Sequence, residues 1–345
     1  MNTILTQKGE LMKKYGLLLL LVMLLAGLVE SPAMAKVYKF RFAQITPATH
    51  PYYSQISLPW AEEIMKRSNG QVEITLYPAG TLVAGNVMYS SIVDGITDIG
   101  TSSFGWERGR HPVMDALVYT PGFPSAKVAC RVTNEAVRKF NLKELSDTHL
   151  LFVHTCAPMH LWSKSPIRNL EDLQGVEIRA AGATGKLVKD LGGVPVSAPQ
   201  SQVYEMLSKG IVKGSISSLD VLKGFRQAEV VKSVTLAYFH VAPFFVSMNL
   251  DKWNSLPPDI QKVFEEVSNE YIDIAGDVWD KASEAGLQYA KDEGLEIIVL
   301  PPEELARWHA AYKPLRAEYI KEMESKGLPG KAFLEEIDTL NKKYQ

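Results

Sequence analysis

The chain has 345 residues, with 37 basic and 39 acidic side chains and a formal net charge of −2 at pH 7. A protein that binds nucleic acid or a membrane surface would show a basic excess or stripe, so this balance argues against both classes. The only cysteines are Cys130 and Cys156, too few for a structural zinc site of the usual kind. They fit either one disulfide or two buried thiols.

The first 35 residues have the pattern of a secretory signal peptide. Lys13 and Lys14 precede the apolar run Leu17–Leu28, and Ser31–Ala35 offers an Ala-x-Ala cleavage site. The run is too short to span a bilayer comfortably. Cleavage after Ala35 predicts a mature protein of about 310 residues with a net charge of about −3, exported to the periplasm. That length is large for one core and suggests two domains.

Short apolar strand candidates alternate with amphipathic helix candidates along the mature chain. The strand candidates are Tyr38–Ala43, Val72–Tyr77, Thr97–Thr101, Leu150–His154, Val176–Arg179 and Gly214–Ser217. The helix candidates are Ser57–Ser68, Met88–Val93, Lys127–Phe140, Gly185–Leu191 and Val203–Ser208. This alternation predicts an α/β fold with largely parallel sheets.

One stretch of the sequence is echoed 115 residues later. Tyr89–Ser103 and Tyr204–Ser218 share their tyrosine, a glycine followed by isoleucine, and a terminal Ser-Ser pair. Each copy reads as a helix, a glycine stop and a strand. Chance similarity of two α/β units is one explanation, and two domains of related architecture is the other. In the second case, both Ser-Ser pairs lie at strand carboxyl ends, where open α/β sheets bind ligands.

A long helix is predicted near the carboxyl end of the chain. The run Pro257–Gly294 has no internal proline after its start, and at 1.5 Å per residue it could exceed about 50 Å. Such a helix is longer than one domain and would pack along both. Gly276 and Gly286 lie inside it and are interpreted as bends.

Candidate binding residues collect near predicted strand ends. Arg179 ends a short strand that follows a helix capped by Asn169, and a guanidinium on a rigid strand end suits bidentate capture of a carboxylate. A surface arginine whose stem lies over the strand fits the same pattern. Aromatic and small polar side chains at other strand ends suggest an aromatic-lined pocket, although each alone is more often a core residue. They are Tyr52, Ser103, Phe104, Trp106, His160, Trp162, Ser217 and Phe244.

Catalytic and cofactor motifs are absent from the sequence. It has no His-Glu-x-x-His, Gly-x-Ser-x-Gly or Gly-x-Gly-x-x-Gly, and its seven histidines show no metal-ligand spacing. No cofactor, metal or enzymatic activity is therefore predicted. An exported α/β hydrolase stays an alternative, because a nucleophile with its base cannot always be read from sequence.

Six segments in order resemble the substrate-binding proteins of tripartite ATP-independent periplasmic (TRAP) transporters, of the dicarboxylate-binding (DctP) type. The segments are Leu76–Leu82, Val93–Gly100, Pro166–Arg179, Gly192–Val196, Val203–Val212 and Met248–Pro258. The resemblance implies two α/β domains joined by crossing strands, an interdomain cleft and a long helix spanning both domains. The implied division is 1–35 signal peptide, 36–156 plus 246–284 domain I, and 157–245 plus 285–345 domain II.

The resemblance also implies a function. The cleft would close on an organic acid, Arg179 would match the family's carboxylate-binding arginine, and the loaded protein would deliver its ligand to integral-membrane TRAP permease subunits. Some family members carry a second arginine about twenty residues earlier, where this chain has Met159–Trp162. With one firm cation, we expect an aromatic or hydrophobic monocarboxylate. The alternative ligand is a small hydroxy, keto or dicarboxylic acid. The second acid group of a diacid would rely on His160 or hydroxyls. An alternative role for the protein is that of a ligand-sensing subunit.

Overall fold

The computed structural model describes residues 36–180 and 182–344. The predicted signal peptide, residues 1–35, lies outside the described residues. Residues Lys39–Gln345 form one compact unit. This unit contains both sheets of the fold except Tyr38, the first residue of the first strand.

The strands form two mixed sheets. They are β1 Tyr38–Ala43, β2 Val72–Tyr77, β3 Ile99–Ser103, β4 Thr148–Thr155, β5 Met159–Ser163, β6 Glu177–Arg179, β7 Val194–Val196, β8 Gly214–Ser218, β9 Ser233–Leu236, β10 Pro243–Asn249 and β11 Glu296–Val299. The first sheet has the order β2-β1-β3-β10-β4, and the second has the order β11-β9-β5-β8-β6-β7. Each sheet with its flanking helices is called a lobe here.

Helices cover both sheets, as the predicted alternation requires. They are α1 Leu58–Arg67, α2 Met88–Val93, α3 Ala126–Phe140, α4 Thr184–Asp190, α5 Val203–Ser208, α6 Asp220–Gly224, α7 Leu250–Asn254, α8 Pro258–Asp292, α9 Pro302–Ala310, α10 Tyr312–Ser325 and α11 Gly330–Tyr344. The predicted α/β fold is confirmed, and the bounds of the helices that the sequence predicted agree with the structure within two residues.

Two segments carry the chain from one lobe to the other. The chain leaves β4 at Thr155 and enters β5 at Met159, and it returns from β9 through residues 237–242 to β10. The two segments are tied together, since Cys156 N–H donates to the Ala242 carbonyl (3.1 Å) and Met159 N–H donates to the His240 carbonyl (3.0 Å). These are the crossing strands that the family resemblance implies.

The sheets are mixed, whereas the sequence predicted largely parallel pairing. β10 runs antiparallel to β3 and β4, and β5 runs antiparallel to β8 and β9. The pairs β1–β3, β6–β8 and β9–β11 are parallel, as expected for strands joined through helices. The exceptions, β5 and β10, are the strands that enter each sheet directly from the other lobe.

Helix α8 is one continuous helix of 35 residues that packs on both lobes. Its two internal glycines lie where other parts of the chain approach the helix closely, and they are not bends. This corrects the sequence interpretation. A Cβ on Gly276 would lie 2.5 Å from Cα of Lys127, and a Cβ on Gly286 would lie 2.0 Å from the carbonyl oxygen of Leu219. Lys127 belongs to α3 in the first lobe, and Leu219 follows β8 in the second.

The carboxyl-terminal helix packs differently from the predicted domain division. Residues 285–345 were assigned to the second domain, yet Phe333, Ile337 and Leu340 of α11 are buried in the core of the first lobe. Their spacing puts them on one helix face, and the Phe333 ring meets Phe140 of α3 edge-on. The remaining domain bounds stay a prediction.

The two echoed sequences adopt the same local structure. α2 leads to β3 and α5 leads to β8, with Gly95 and Gly210 both at a φ of +70°. In each copy the residue after the glycine donates its N–H to a carbonyl five positions back: Ile96 to Ser91 and Ile211 to Met206. Glycine is favoured there because a left-handed residue closes this helix end without strain.

Both cysteines are buried free thiols. Cys130 Sγ accepts the Thr155 N–H and Cys156 Sγ accepts the Ala242 N–H, each at 3.2 Å. Burial raises the pKa of both thiols to about 12, so neither is a reactive thiolate at neutral pH.

Candidate functional site

A cavity of about 970 Å³ lies between the two lobes. In the first lobe its wall includes Ser103 at the end of β3, and in the second it includes Arg179 at the end of β6 and Ser217 in β8. Both Ser-Ser segments of the internal echo reach this wall. The size lies within the range of small-molecule sites, about 300–1,000 Å³.

Arg179 is a buried cation in the wall of this cavity. The residue is 6% exposed, and its Nε and Nη2 donate to the Ala198 carbonyl at 3.0 and 2.9 Å. A guanidinium has five N–H donors, and the others bond no atom of the described residues. No carboxylate in residues 36–180 or 182–344 pairs with it. Burial lowers the pKa of Arg179 to about 10, so it is charged at neutral pH.

Aromatic side chains line the cavity in two ways. Trp106 is 51% exposed and Phe225 is 37% exposed, an unusual state for such large apolar side chains. Phe244 is partly exposed. These three rings have apolar area that a ligand could cover.

Tyr52 and Phe104 also reach the cavity wall, but most of their surface is packed. Tyr52 bonds Thr101 through its hydroxyl, and its ring lies against Phe244 and Trp279. Burial raises the pKa of the Tyr52 phenol well above its ordinary value. Phe104 is 2% exposed. Both side chains therefore form part of the wall but have little exposed surface for a ligand to contact.

Two predicted site residues, His160 and Trp162, do not line the cavity. Trp162 is fully buried in the core of the second lobe, where its Nε1 donates to Gln227 Oε1 (3.0 Å). His160 Nδ1 accepts backbone N–H groups from Ala237 and Tyr238, and burial lowers its pKa to about 3. A neutral, buried His160 is not a cation for a second acid group.

Sequence reasoning missed several residues of the wall. Asp220 follows β8, and His50 follows β1; both face the cavity. Arg108 is an exposed lining residue, and no acidic group in the described part of the chain pairs with it. Only the position of Asp220 just after the Ser-Ser pair could have drawn attention to it. Nothing in the sequence separates Arg108 from an ordinary surface arginine.

A hydrogen-bonded chain leads from the cavity into the second lobe. The Thr184 hydroxyl lies 3.0 Å from His240 Nε2, and His240 Nδ1 lies 2.8 Å from the Tyr312 hydroxyl. Burial lowers the pKa of His240 to about 4. The ring is therefore neutral, and it fixes Thr184 at the start of α4.

Within the residues that the structure describes, no group of three or more potential ligands could hold a metal ion. No helix of that part of the chain is long and apolar enough to cross a membrane.

Comparison with known proteins gives consistent results. The DctP model, bacterial extracellular solute-binding protein family 7, matches residues 42–322. A TRAP periplasmic solute-binding protein from Desulfovibrio salexigens, solved as an open complex, is 32% identical with a TM-score of 0.85, over 90% of this chain and 97% of that one. A marine metagenome TRAP protein specific for aromatic acid ligands, solved with metahydroxyphenylacetate, is 27% identical with a TM-score of 0.82, over 90% and 100%.

A curated relative extends the comparison. The C4-dicarboxylate-binding periplasmic protein DctP of Rhodobacter capsulatus is 24% identical over 295 residues, which cover 83% of this chain and 88% of that one. The family that matches this two-lobed fold, and the solved relatives that share it, are solute-binding proteins of transport systems and not enzymes. The chain belongs to bacterial extracellular solute-binding protein family 7, DctP, and is a TRAP substrate-binding protein.

Proposed function

We propose that this protein binds an aromatic or hydrophobic monocarboxylate in the cleft, with the ligand carboxylate on Arg179, and delivers it to integral-membrane TRAP permease subunits. The predicted signal peptide supports a place of action in the periplasm. One observation carries the proposal: a buried guanidinium faces the cavity with free donors and no acidic partner among the described residues.

Charge and geometry support the role of Arg179. A buried charge is costly unless it is paired, and here the only observed partner is a neutral carbonyl. The two bonds to Ala198 hold the guanidinium plane in one orientation before ligand arrives. A carboxylate can then accept two parallel N–H bonds from the remaining edge. The ligand would supply the missing charge.

Exposed aromatic area supports the apolar body of the ligand. Trp106 belongs to the first lobe and Phe225 to the second, so a ligand between them could contact both rings. Ring–ring contacts contribute about 0.5–1.5 kcal/mol each beyond area burial. The aromatic-acid specificity of the metagenome relative points in the same direction.

A small diacid is the second candidate. Arg108 offers the cleft an exposed cation that the sequence prediction did not include. The C4-dicarboxylate specificity of the Rhodobacter relative also favours this alternative. A diacid would need Arg179 at one end and Arg108, or the hydroxyls of Ser103 and Ser217, at the other.

Substitution of Arg179 tests the carboxylate pair. Arg179→Ala should weaken binding of the best acid by about 2–5 kcal/mol, because the ligand charge would then be desolvated without a partner. Arg179→Lys should also bind poorly, since an ammonium lacks the planar fork. Isothermal titration calorimetry measures both, with Lys189→Ala on the exposed side of α4 as the matched loss of one charge. Wild-type affinity in Arg179→Ala would remove Arg179 from the site.

A thermal-shift screen tests the ligand class. Phenyl- and indole-bearing monocarboxylates are compared with succinate and malate on wild type and on Arg108→Ala. We expect stabilisation by the aromatic acids that does not change in Arg108→Ala. Strong stabilisation by the diacids that is lost in Arg108→Ala, with none by the aromatic acids, would overturn the choice and establish the second candidate.

A further inference from the structure

Asp220, the first residue of α6, is a buried carboxylate in the cavity wall. Its side chain is 11% exposed, and its Oδ1 has no hydrogen-bond partner within the described residues. The Ser218 hydroxyl lowers its pKa by hydrogen bonding, but burial outweighs that and raises the pKa to about 6. Oδ1 is closed off from solvent, whereas the other oxygen, Oδ2, is the one that lies towards His50 across the cleft. We therefore take Oδ2 as the acceptor that a ligand in the cavity could reach.

His50 faces the same space from the other lobe. Its Nδ1 accepts the Tyr52 N–H at 3.1 Å, so the neutral ring carries its proton on Nε2. Burial lowers the pKa of His50, which favours this neutral form. Nε2 lies 3.9 Å from Asp220 Oδ2, too far for a direct hydrogen bond. A donor, His50 Nε2–H, and an acceptor, Asp220 Oδ2, therefore lie close together without forming a hydrogen bond to each other.

We propose that His50 and Asp220 form a hydroxyl-binding subsite, so that the ligand is a hydroxylated aromatic or hydrophobic monocarboxylate. The ligand hydroxyl donates to Asp220 and accepts from Nε2–H of His50. An oxygen about 2.8 Å from each atom fits across a 3.9 Å gap. This inference rests on the proposed function, since Arg179 must hold the carboxylate for the hydroxyl to reach the pair.

The chemistry of the pair selects a hydroxyl over other groups. An ammonium could donate to Asp220, but it has no lone pair to accept from His50. A second carboxylate would be repelled by Asp220 and would leave it unsatisfied. A hydroxyl is both a donor and an acceptor, and it satisfies both side chains at once.

The sheet register places the subsite away from Arg179. Arg179 is paired with Ser215 across β6 and β8, and β8 runs three residues further to Ser218, about 10 Å along the strand. Asp220 lies two residues beyond Ser218. The hydroxyl thus belongs on a part of the ligand remote from its carboxylate, which disfavours short 2-hydroxy acids.

Matched ligand pairs test the inference. Calorimetry compares phenylacetate and 3-phenylpropanoate with their ring-hydroxylated forms at each position, and with ring-amino analogues. In wild type we expect one hydroxylated acid to bind about 10- to 100-fold more tightly than its parent, because a charge-assisted hydrogen bond is gained. That preference should fall below about threefold in Asp220→Asn and Asp220→Ala and persist in Asp190→Asn, an exposed acid on α4.

Each other outcome separates the two proposals. Equal, Arg179-dependent binding of parent and hydroxylated acids would overturn the hydroxyl subsite and leave the proposed function standing. The same follows if Asp220→Asn retains the preference, or if an amino analogue binds better than every hydroxylated acid. Binding of none of these acids would overturn the proposed ligand class and this inference together.

Discussion

At the scale of single residues, the cleft holds two charged groups of opposite sign that the ligand-free protein leaves poorly compensated. Arg179 has a pKa lowered to about 10 and Asp220 has one raised to about 6, in both cases because burial disfavours the charged form. The ligand-free protein is therefore less stable than its packing would allow. Binding sites commonly carry such a cost, which ligand contacts offset.

The cost of burying the Asp220 carboxylate can be measured from the pH dependence of the free energy of unfolding. Its pKa rises from 3.8 unfolded to about 6 folded, so the folded state binds more protons in that interval and stability falls as pH rises from about 4 to 6. The full penalty, at most about 3 kcal/mol, applies above pH 6. Asp220→Asn should therefore raise the free energy of unfolding at pH 8 and change it little near pH 4.

Urea unfolding of ligand-free wild type and Asp220→Asn across this pH range checks the expectation, with Asp190→Asn as control. A stability difference that does not vary with pH, or a loss of stability in Asp220→Asn at pH 8, would contradict it.

Individual site residues were predictable to different degrees. The strand-end position of Arg179 could be predicted, but that pattern fits a surface arginine equally well, and the family resemblance was needed to favour a binding role. Trp162 could not be placed, because β5 lies in the middle of a sheet covered on both faces. Leu161 packs in one core of the second lobe and Trp162 in another, so β5 reaches the cleft only at its start, Met159, and not at Trp162. The sequence shows that side chains alternate between the two faces of a strand, but not which parts of the fold cover each face.

At the scale of elements, the long helix α8 connects the lobes through its smallest residues. Its length and its contacts on both lobes follow from the sequence, which has no breaker between its ends. The role of Gly286 does not follow from the sequence. A glycine inside a helix predicts lower helix stability unless the surface opposite it is known. In this fold the backbone of Leu219, one residue before Asp220, occupies the space above it.

Substitution of Gly286 tests that close approach. In an exposed helix, glycine to alanine would stabilise by up to about 1 kcal/mol. At Gly286 the added Cβ would lie 2.0 Å from the Leu219 carbonyl oxygen, so Gly286→Ala should instead destabilise by about 1–3 kcal/mol through overpacking. Thermal denaturation measures this. Gly224→Ala is the control, since its Cβ would meet nothing within 4 Å. Equal or higher stability in Gly286→Ala would refute the close contact.

The internal echo was predictable to the level of local structure. Equivalent glycines stop α2 and α5, and the strands that follow bring Ser103 and Ser217 to the cleft. The sequence could not say that these strands lie in different sheets, since long-range pairing depends on the crossing segments. For the same reason the position of α11 on the first lobe was missed: its apolar face fits any core of suitable shape.

At the scale of the whole molecule, the architecture allows the lobes to move as units. Only two short crossing segments and α8 connect the lobes through the middle of the chain, while α10 and α11 return to the first lobe. The proposed ligand contacts lie on both sides: Trp106 and His50 on the first lobe, Arg179 and Asp220 on the second. A ligand that engages all of them at once binds a closed arrangement better than an open one, and its differential affinity sets how far the equilibrium shifts.

Closure can be followed in solution by small-angle scattering. Saturation with the best-binding acid should reduce the radius of gyration of wild type. The same acid should leave Arg179→Ala unchanged at a concentration that just saturates wild type, because the weakened affinity leaves the variant largely without ligand. Lys189→Ala should behave as wild type. Since α8 lies across both lobes, closure requires it to bend or to slide against one of them. A wild-type radius that is identical with and without saturating ligand would show that binding occurs without lobe movement.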